Sequence, residues 1–153
     1  MVHRINRGQT TGWCCSITFD DGWRGTYDMA FPLLERHQVP ASVFLASGYI
    51  GTDKWFWPEE LAWCLENLLK QDAWDAETDG LIKSLMPEMN SRNKNNRTDL
   101  IDDAIERVKK YRPEMREALL STLREALPSG SRERLMMSWD EAAEMQKSGL
   151  VSF

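Results

Sequence analysis

Two adjacent carboxylates, Asp20 and Asp21, are the side chains whose type and spacing best suit catalysis in this sequence. They directly follow the apolar run of residues 13–19, which predicts a buried strand. Because neighbouring like charges repel each other, such a pair requires that one carboxyl is protonated or that a cation lies between them. The pair therefore predicts proton transfer and cation binding at the end of a strand.

A metal-dependent amide hydrolase needs both functions, since a Lewis acid polarises the carbonyl and a base takes the proton of the attacking water. Two successive carboxylates can divide this work, and Gly22 permits a sharp backbone turn directly after them. Alone, an Asp-Asp-Gly triplet is more typical of a simple turn. A haloacid-dehalogenase-type phosphotransferase also places an aspartate at a strand end, but it requires Asp-x-Asp. The preceding strand and the aromatic Trp23 favour a functional pair over a simple turn.

The elements that would position the pair form a strand–helix–strand unit. Apolar residues at helical spacing after the pair predict a helix that ends near His37. The β-branched and aromatic run of residues 41–46 then predicts a second strand. Such a unit has parallel strands and a right-handed crossover. Since catalytic groups gather at the carboxyl ends of parallel barrel strands, we expect Asp20 and Asp21 at that edge.

Residues 18–22, TFDDG, and the following aromatic resemble the first motif of the polysaccharide deacetylases, the NodB-like carbohydrate esterases. Residues 33–51 resemble that family's second βα unit. The resemblance implies that Asp20 is the catalytic base and that Asp21 is a ligand of a divalent metal, commonly zinc. It implies a hydrolase of non-peptide carbon–nitrogen bonds that removes N-acetyl, or O-acetyl, groups from an acetylated polysaccharide or oligosaccharide. It assigns no substrate-binding residue.

The resemblance also predicts an α/β fold, part of a deformed TIM-like (β/α) barrel within residues 1–153. Residues 12–51 would form the strand–helix–strand unit, 54–135 a helical insertion after the second strand, and 136–153 a helix leading into the third strand. The insertion shows apolar stripes behind Pro58 and Pro113 and around residues 81–86 and 100–108, with a polar loop from Ser91 to Arg97. Ser138 and Glu141 predict a capping box at the last helix.

Residues 137–153 resemble the helix and strand that precede the family's second motif, which contains two metal-binding histidines. We therefore expect an N-terminal portion of a longer enzyme, truncated before that motif, with the remaining metal ligands beyond Phe153. Because catalytic zinc requires three protein ligands, we expect this portion alone to be inactive. The histidines present, His3 and His37, favour solvated or structural roles over metal binding.

Other aromatic and sulfur-containing residues are best explained by packing. Trp55, Trp57 and Trp63 can stack on sugar rings, but large aromatics more often anchor a core. Cys64 lies on a helical stripe and is most simply a small core residue. Cys14 and Cys15 are strand neighbours whose side chains point to opposite faces, so a disulfide between them would be strained. A reducing compartment fits these cysteines.

The composition limits the partners. The chain of 153 residues carries a formal net charge of −5, which argues against nucleic-acid binding. Its hydrophobic content of 42% and charged content of 28% are typical of a globular protein. The first fifteen residues contain no apolar segment of signal-peptide length, and no stretch approaches the roughly 20 apolar residues of a membrane-spanning helix. We therefore expect a cytoplasmic location, while the oligomeric state stays open.

Two alternatives come from other functional classes. A catalytically inactive carbohydrate-binding or scaffolding module can have the same fold. A small helical interaction domain, in which residues 18–22 form only a turn, is the second alternative, and it predicts that both aspartates point into solvent away from any parallel-strand edge.

Overall fold

A computed structural model describes residues 15–87, 97–128 and 132–153. These residues form a mixed α/β structure, as predicted. In chain order its elements are β1 (Ile17–Phe19), α1 (Phe31–His37), β2 (Ala41–Val43), α2 (Trp57–Leu68), α3 (Ala76–Leu85), α4 (Arg97–Val108), α5 (Pro113–Glu125), α6 (Trp139–Lys147) and β3 (Val151–Ser152). They divide into two compact units, one with the three strands, α1 and α6, and one with α2 to α5.

The first unit contains a parallel sheet with strand order β1-β2-β3. Phe19 lies opposite Val43 in the first pair, and Ala41 lies opposite Val151 in the second. The predicted parallel strand–helix–strand unit is therefore confirmed. Since all three strands run in the same direction, their carboxyl ends share one edge of the sheet, and Asp20 follows β1 at that edge.

The prediction that the first strand is buried is wrong. Residues 15–18 are exposed, and the Ile17 side chain is 37% accessible. β1 is at the edge of the sheet, and β2 is its only partner among the residues described here. The central strand is covered instead, with Val43 only 1% accessible. Trp13 and Cys14, the start of the predicted strand, lie outside the described residues.

The helix after the aspartate pair begins with a π-helical segment, Thr26–Ala30, that continues into α1. α1 ends at His37, as predicted, because Gln38 adopts a left-handed conformation with φ 52°. Phe31 and Leu34 are the buried side chains of α1. The core of this unit consists of Phe31, Leu34, Ala41, Val43, Ile50, Met136, Met137, Ala142, Met145 and Val151.

The helical unit has its own core, to which all four of its helices contribute. The stripe predicted behind Pro58 is confirmed, since Leu61, Cys64, Leu65 and Leu68 are fully buried. The other members of this core are Ile82, Leu85, Met86, Ile101, Ala104, Val108, Leu119, Leu120 and Leu123. Trp57 and Trp63 are partly buried against it. The predicted loop from Ser91 lies outside the described residues up to Arg97, where α4 begins.

Gly80 offers a test of the α3 assignment. It lies inside α3 and is exposed, and a Cβ built there meets no atom within 4 Å. Glycine in a helix interior costs roughly 0.5–1 kcal/mol relative to alanine. We therefore expect Gly80→Ala to raise the free energy of unfolding of the helical unit by about that amount, measured by hydrogen exchange of its slowest amides. A decrease would contradict the helical assignment.

Candidate active site

The two carboxylates leave β1 in a tight turn formed by residues 20–22. The Gly22 amide donates a hydrogen bond to the Asp20 carbonyl at 2.8 Å, and Asp21 and Gly22 have φ values of 65° and 83°. A positive φ is uncommon for a residue with a side chain, and strained conformations of this kind cluster at functional sites. Asp20 is exposed and Asp21 is half-buried. The turn thus presents two carboxylates in different environments at the carboxyl end of β1.

The segment that leaves β2 supports this turn from one side. The Phe44 amide donates to the Phe19 carbonyl at 2.8 Å, and the Ala46 amide donates to the Asp21 carbonyl at 3.0 Å. The ladder between β1 and β2 is therefore extended by hydrogen bonds as far as the second aspartate. The backbone of Asp21 is fixed relative to the sheet, which the turn-only alternative does not require.

A second segment, residues 134–138, supports the turn from another direction, and we call it the strap. Within it the Met137 amide donates to the Gly22 carbonyl at 2.9 Å, and the Leu135 carbonyl accepts from the Arg24 amide at 2.7 Å. The Met137 carbonyl accepts from the Gly51 amide at 3.0 Å. The strap could not be predicted from the sequence, because three apolar residues before a helix do not specify which distant backbone they contact.

The space beside the turn is filled. A Cβ built on Gly22 would lie 2.6 Å from Cδ1 of Ile50 and 2.7 Å from Cδ2 of Leu45. Both distances are shorter than real Cβ contacts allow. Gly22 is therefore required for its positive φ and also for the close approach of these two side chains.

The strap is joined to α6 by an ion pair and a helix cap. The Arg134 guanidinium donates two parallel hydrogen bonds to Glu141, at 2.8 and 2.7 Å. The predicted capping box is confirmed, because the Ser138 hydroxyl accepts from the Glu141 amide at 3.1 Å and the Ser138 amide donates to the Glu141 carboxylate at 2.6 Å.

These contacts lower the pKa of the Glu141 carboxyl group. The hydrogen bonds from Arg134 are the largest cause that lowers its pKa from the usual 4.5 to about 2, and the Ser138 amide adds to the effect. A depressed carboxyl pKa stabilises the fold at pH values above the unfolded-state pKa. This contribution is therefore complete above about pH 4.5 and is lost as the pH falls towards 2.

Two other residues, Arg24 and Tyr27, make polar contacts beside the site. Arg24 pairs with Asp28 at 3.0 Å and with Glu133 at 3.9 Å. The Tyr27 hydroxyl donates to Glu144 of α6 at 2.7 Å, and this hydrogen bond to a carboxylate raises the pKa of Tyr27. The Tyr27 contact reaches α6 without involving the strap.

The donor atoms at the turn fit part of a divalent cation site. Carboxylate oxygens suit both zinc and hard cations. However, the described part of the chain contains no group of three or more His, Cys, Asp or Glu side chains that could hold a metal ion. His37 is exposed at the end of α1, and His3 lies outside the described residues. Asp20 and Asp21 therefore supply oxygen donors but not a complete three-ligand site.

The family model for polysaccharide deacetylases matches residues 7–153 of the chain. The chain belongs to the polysaccharide deacetylase family. Comparison with curated proteins and with solved structures gave no match. The resemblance carried by residues 18–22 and 33–51 is thus confirmed at the level of the family, which deacetylates polysaccharides and so acts on acetylated glycans. Membership in this family also supports, in general terms, a hydrolase that acts on carbon–nitrogen bonds.

Two grooves border the sheet of this deacetylase-family chain. An apolar groove of about 440 Å³ lies beside the aspartate turn, between β1 and the π-helical segment, and Phe19, Trp23 and Met29 are among its lining residues. A larger groove of about 650 Å³ lies at the amino ends of the strands, where Pro40 and Leu150 precede β2 and β3. Catalytic groups of parallel α/β folds lie at the carboxyl ends, and the smaller groove lies at that end of the sheet, beside the predicted site residues Asp20 and Asp21.

No helix within residues 15–87, 97–128 and 132–153 is both long enough and apolar enough to cross a bilayer.

Proposed function

We propose that Asp20 and Asp21 are the catalytic base and a metal ligand for hydrolysis of N-acetyl, or O-acetyl, groups on a polysaccharide or oligosaccharide. The supporting observation is the turn at residues 20–22, which places two successive carboxylates at the carboxyl edge of a parallel sheet in a strained backbone conformation. Family membership supports the reaction class. The roles of the two residues come from the motif resemblance and from their different exposure.

Each carboxylate has one task in this proposal. Asp21, the half-buried carboxylate, would hold a divalent cation, zinc in our proposal. When bound, that cation would polarise the acetyl carbonyl and lower the pKa of a water molecule. Asp20, the exposed carboxylate, accepts the proton of the attacking water. The water oxygen bonds to the acetyl carbon, and the carbon–nitrogen bond, or the carbon–oxygen bond of an O-acetyl group, breaks. The proton that Asp20 took from the water passes to the leaving nitrogen or oxygen, and the acetic acid released ionises to acetate.

The site requires donors in addition to these two carboxylates. Catalytic zinc is bound by three protein ligands, whereas the described residues bring no third candidate to the pair. We therefore propose that residues 1–153 alone are inactive and that the full-length gene product completes the ligand set. We also propose that the parallel sheet belongs to a deformed (β/α) barrel, with residues 54–135 as a helical insertion.

The small number of candidate metal ligands among the described residues also supports a second candidate function. A chain that binds acetylated glycans without turnover needs no complete metal site, so an inactive carbohydrate-binding or scaffolding module remains the alternative. It differs from the enzyme in one measurable respect, since it binds acetylated oligosaccharides but releases no acetate.

Acetate release tests the proposal. The full-length gene product is incubated with an oligomer of N-acetylglucosamine and, separately, with O-acetylated xylan. We expect acetate from at least one of them, a decrease of at least ten-fold after chelation with EDTA, and recovery on addition of Zn²⁺. Binding without acetate release would favour the inactive module. Equal turnover by residues 1–153 alone would refute the need for further ligands.

A further inference from the structure

We propose that Arg134 and Glu141 are positioning residues for the aspartate turn and that they act on it through the strap. The catalytic meaning of this inference rests on the proposed roles of Asp20 and Asp21. The structural part of the inference is independent of those roles. It concerns only the backbone conformation of residues 20–22, which can be measured without substrate.

The turn requires restraint from outside itself. Asp21 has a side chain and a φ of 65°, and such conformations persist only where the surrounding structure enforces them. The internal hydrogen bond from Gly22 to Asp20 closes the turn but spans only three residues. The Ala46 amide fixes the Asp21 carbonyl, so one side of the turn is held by the segment after β2.

The strap restrains the other side. The Met137 amide is the donor to the Gly22 carbonyl, and two residues earlier the Leu135 carbonyl accepts from Arg24. Trp23 and Met136 form an isolated antiparallel bridge between these two hydrogen bonds. The strap therefore fixes the position of the backbone that follows the two aspartates, from Gly22 to Arg24.

The strap is an irregular segment before α6, so its own position needs an explanation. Met136 and Met137 are fully buried, which fixes their side chains in the core. The Arg134 guanidinium donates to the Met136 carbonyl and to both carboxylate oxygens of Glu141. Glu141 in turn accepts from the Ser138 amide at the other end of the strap. One carboxylate in the first turn of α6 thus ties together both ends of the strap.

The ion pair between Arg134 and Glu141 is less exposed and more precisely oriented than an ordinary surface ion pair. The side chains of Arg134 and Glu141 are 26% and 17% exposed, whereas those of Lys83 and Asp79 in the helical unit are 71% and 37% exposed. Two parallel hydrogen bonds between a guanidinium and a carboxylate fix direction as well as distance. Lysine cannot reproduce this fork, because its ammonium is a single point charge.

Hydrogen exchange of backbone amides, followed by NMR on residues 1–153, tests the structural step without metal or substrate. Glu141→Gln keeps an oxygen that can accept from Ser138 but removes the charge that binds Arg134. We expect the Met137 and Arg24 amides to exchange at least ten-fold faster and the Gly22 amide resonance to shift. The Leu65 amide, in the helical unit, is expected to exchange at the wild-type rate.

Tyr27→Phe is the matched control, because it removes a hydrogen bond to α6 but leaves the strap untouched. We expect it to leave Met137 exchange within two-fold of wild type. Arg134→Lys gives a second, milder variant and should be intermediate. Unchanged Met137 and Arg24 exchange in both Glu141→Gln and Arg134→Lys would overturn the inference, as would equal acceleration in Tyr27→Phe.

The catalytic consequence is measured in the full-length gene product. If Glu141 positions the turn, Glu141→Gln lowers kcat about ten-fold with little change in KM, because substrate contacts stay in place while the base and ligand are displaced. A change in KM alone would overturn the positioning role. Faster exchange of the Met137 and Arg24 amides in Glu141→Gln, together with no acetate release by the wild-type protein, would refute only the proposed enzymatic function. Failure of the structural inference and failure of the proposed function are therefore distinguishable.

Discussion

Asp20→Asn is expected to lower acetate release by the full-length gene product by about 10²–10⁴-fold, the usual contribution of a general base. Asparagine has nearly the same shape as aspartate, but its amide does not accept the proton of the attacking water. The backbone turn is retained, since its closing hydrogen bond uses the Asp20 carbonyl rather than the side chain. The metal bound per chain, measured by elemental analysis after dialysis, should stay at the wild-type value.

Two further variants separate the base from the ligand. Asp21→Asn should lower both turnover and bound metal, because a neutral amide is a poorer ligand than a carboxylate. Asp28→Asn is the matched control, since Asp28 is an exposed carboxylate paired with Arg24 just beyond the turn. It should leave turnover within about two-fold. Near-normal acetate release by Asp20→Asn would remove Asp20 from the role of base, and loss of metal from that variant would exchange the two assignments.

The parts of the fold that could be predicted from the sequence depend on interactions between near neighbours. The capping box at Ser138 and Glu141 needs only a hydroxyl and a carboxylate three residues apart, so its sequence pattern and its geometry correspond. The stripe from Leu61 to Leu68 has helical periodicity, and a helix buries such a stripe wherever it packs. Asp20 and Asp21 stay predicted site residues, and that prediction depends on a short motif that contains both of them.

The parts that could not be predicted depend on contacts between distant residues. Arg24 meets Leu135, and Gly22 meets Met137, across more than a hundred residues of sequence that have no local pattern in common. The exposure of Ile17 depends on how many strands pair with β1, which an apolar run does not specify. In our proposal, the metal ligands needed besides Asp21 also come from distant sequence. The motif thus predicts the chemistry, while the contacts that hold the motif in place depend on tertiary structure.

Gly22→Ala is expected to destabilise the sheet unit by about 2–5 kcal/mol, which is the sum of two costs. An L-residue with φ near 83° costs roughly 1–2 kcal/mol, and insertion of a methyl group into a filled space costs roughly 1–3 kcal/mol. The clash partners, Cδ1 of Ile50 and Cδ2 of Leu45, are side-chain ends that can move, so we expect a distorted turn rather than an unfolded chain. Hydrogen exchange of the slowest β2 amides measures the free energy of unfolding.

Gly25→Ala is the matched control three residues further along. Gly25 is exposed, has helical dihedral angles of −58° and −26°, and has no atom within 4 Å of a built Cβ. Alanine at such a position stabilises by about 0.4–1 kcal/mol, chiefly because it restricts the unfolded chain. The two variants should therefore change stability in opposite directions. Equal effects would show that the Gly22 turn is not the strained, closely packed element on which the proposed orientation of Asp20 and Asp21 depends.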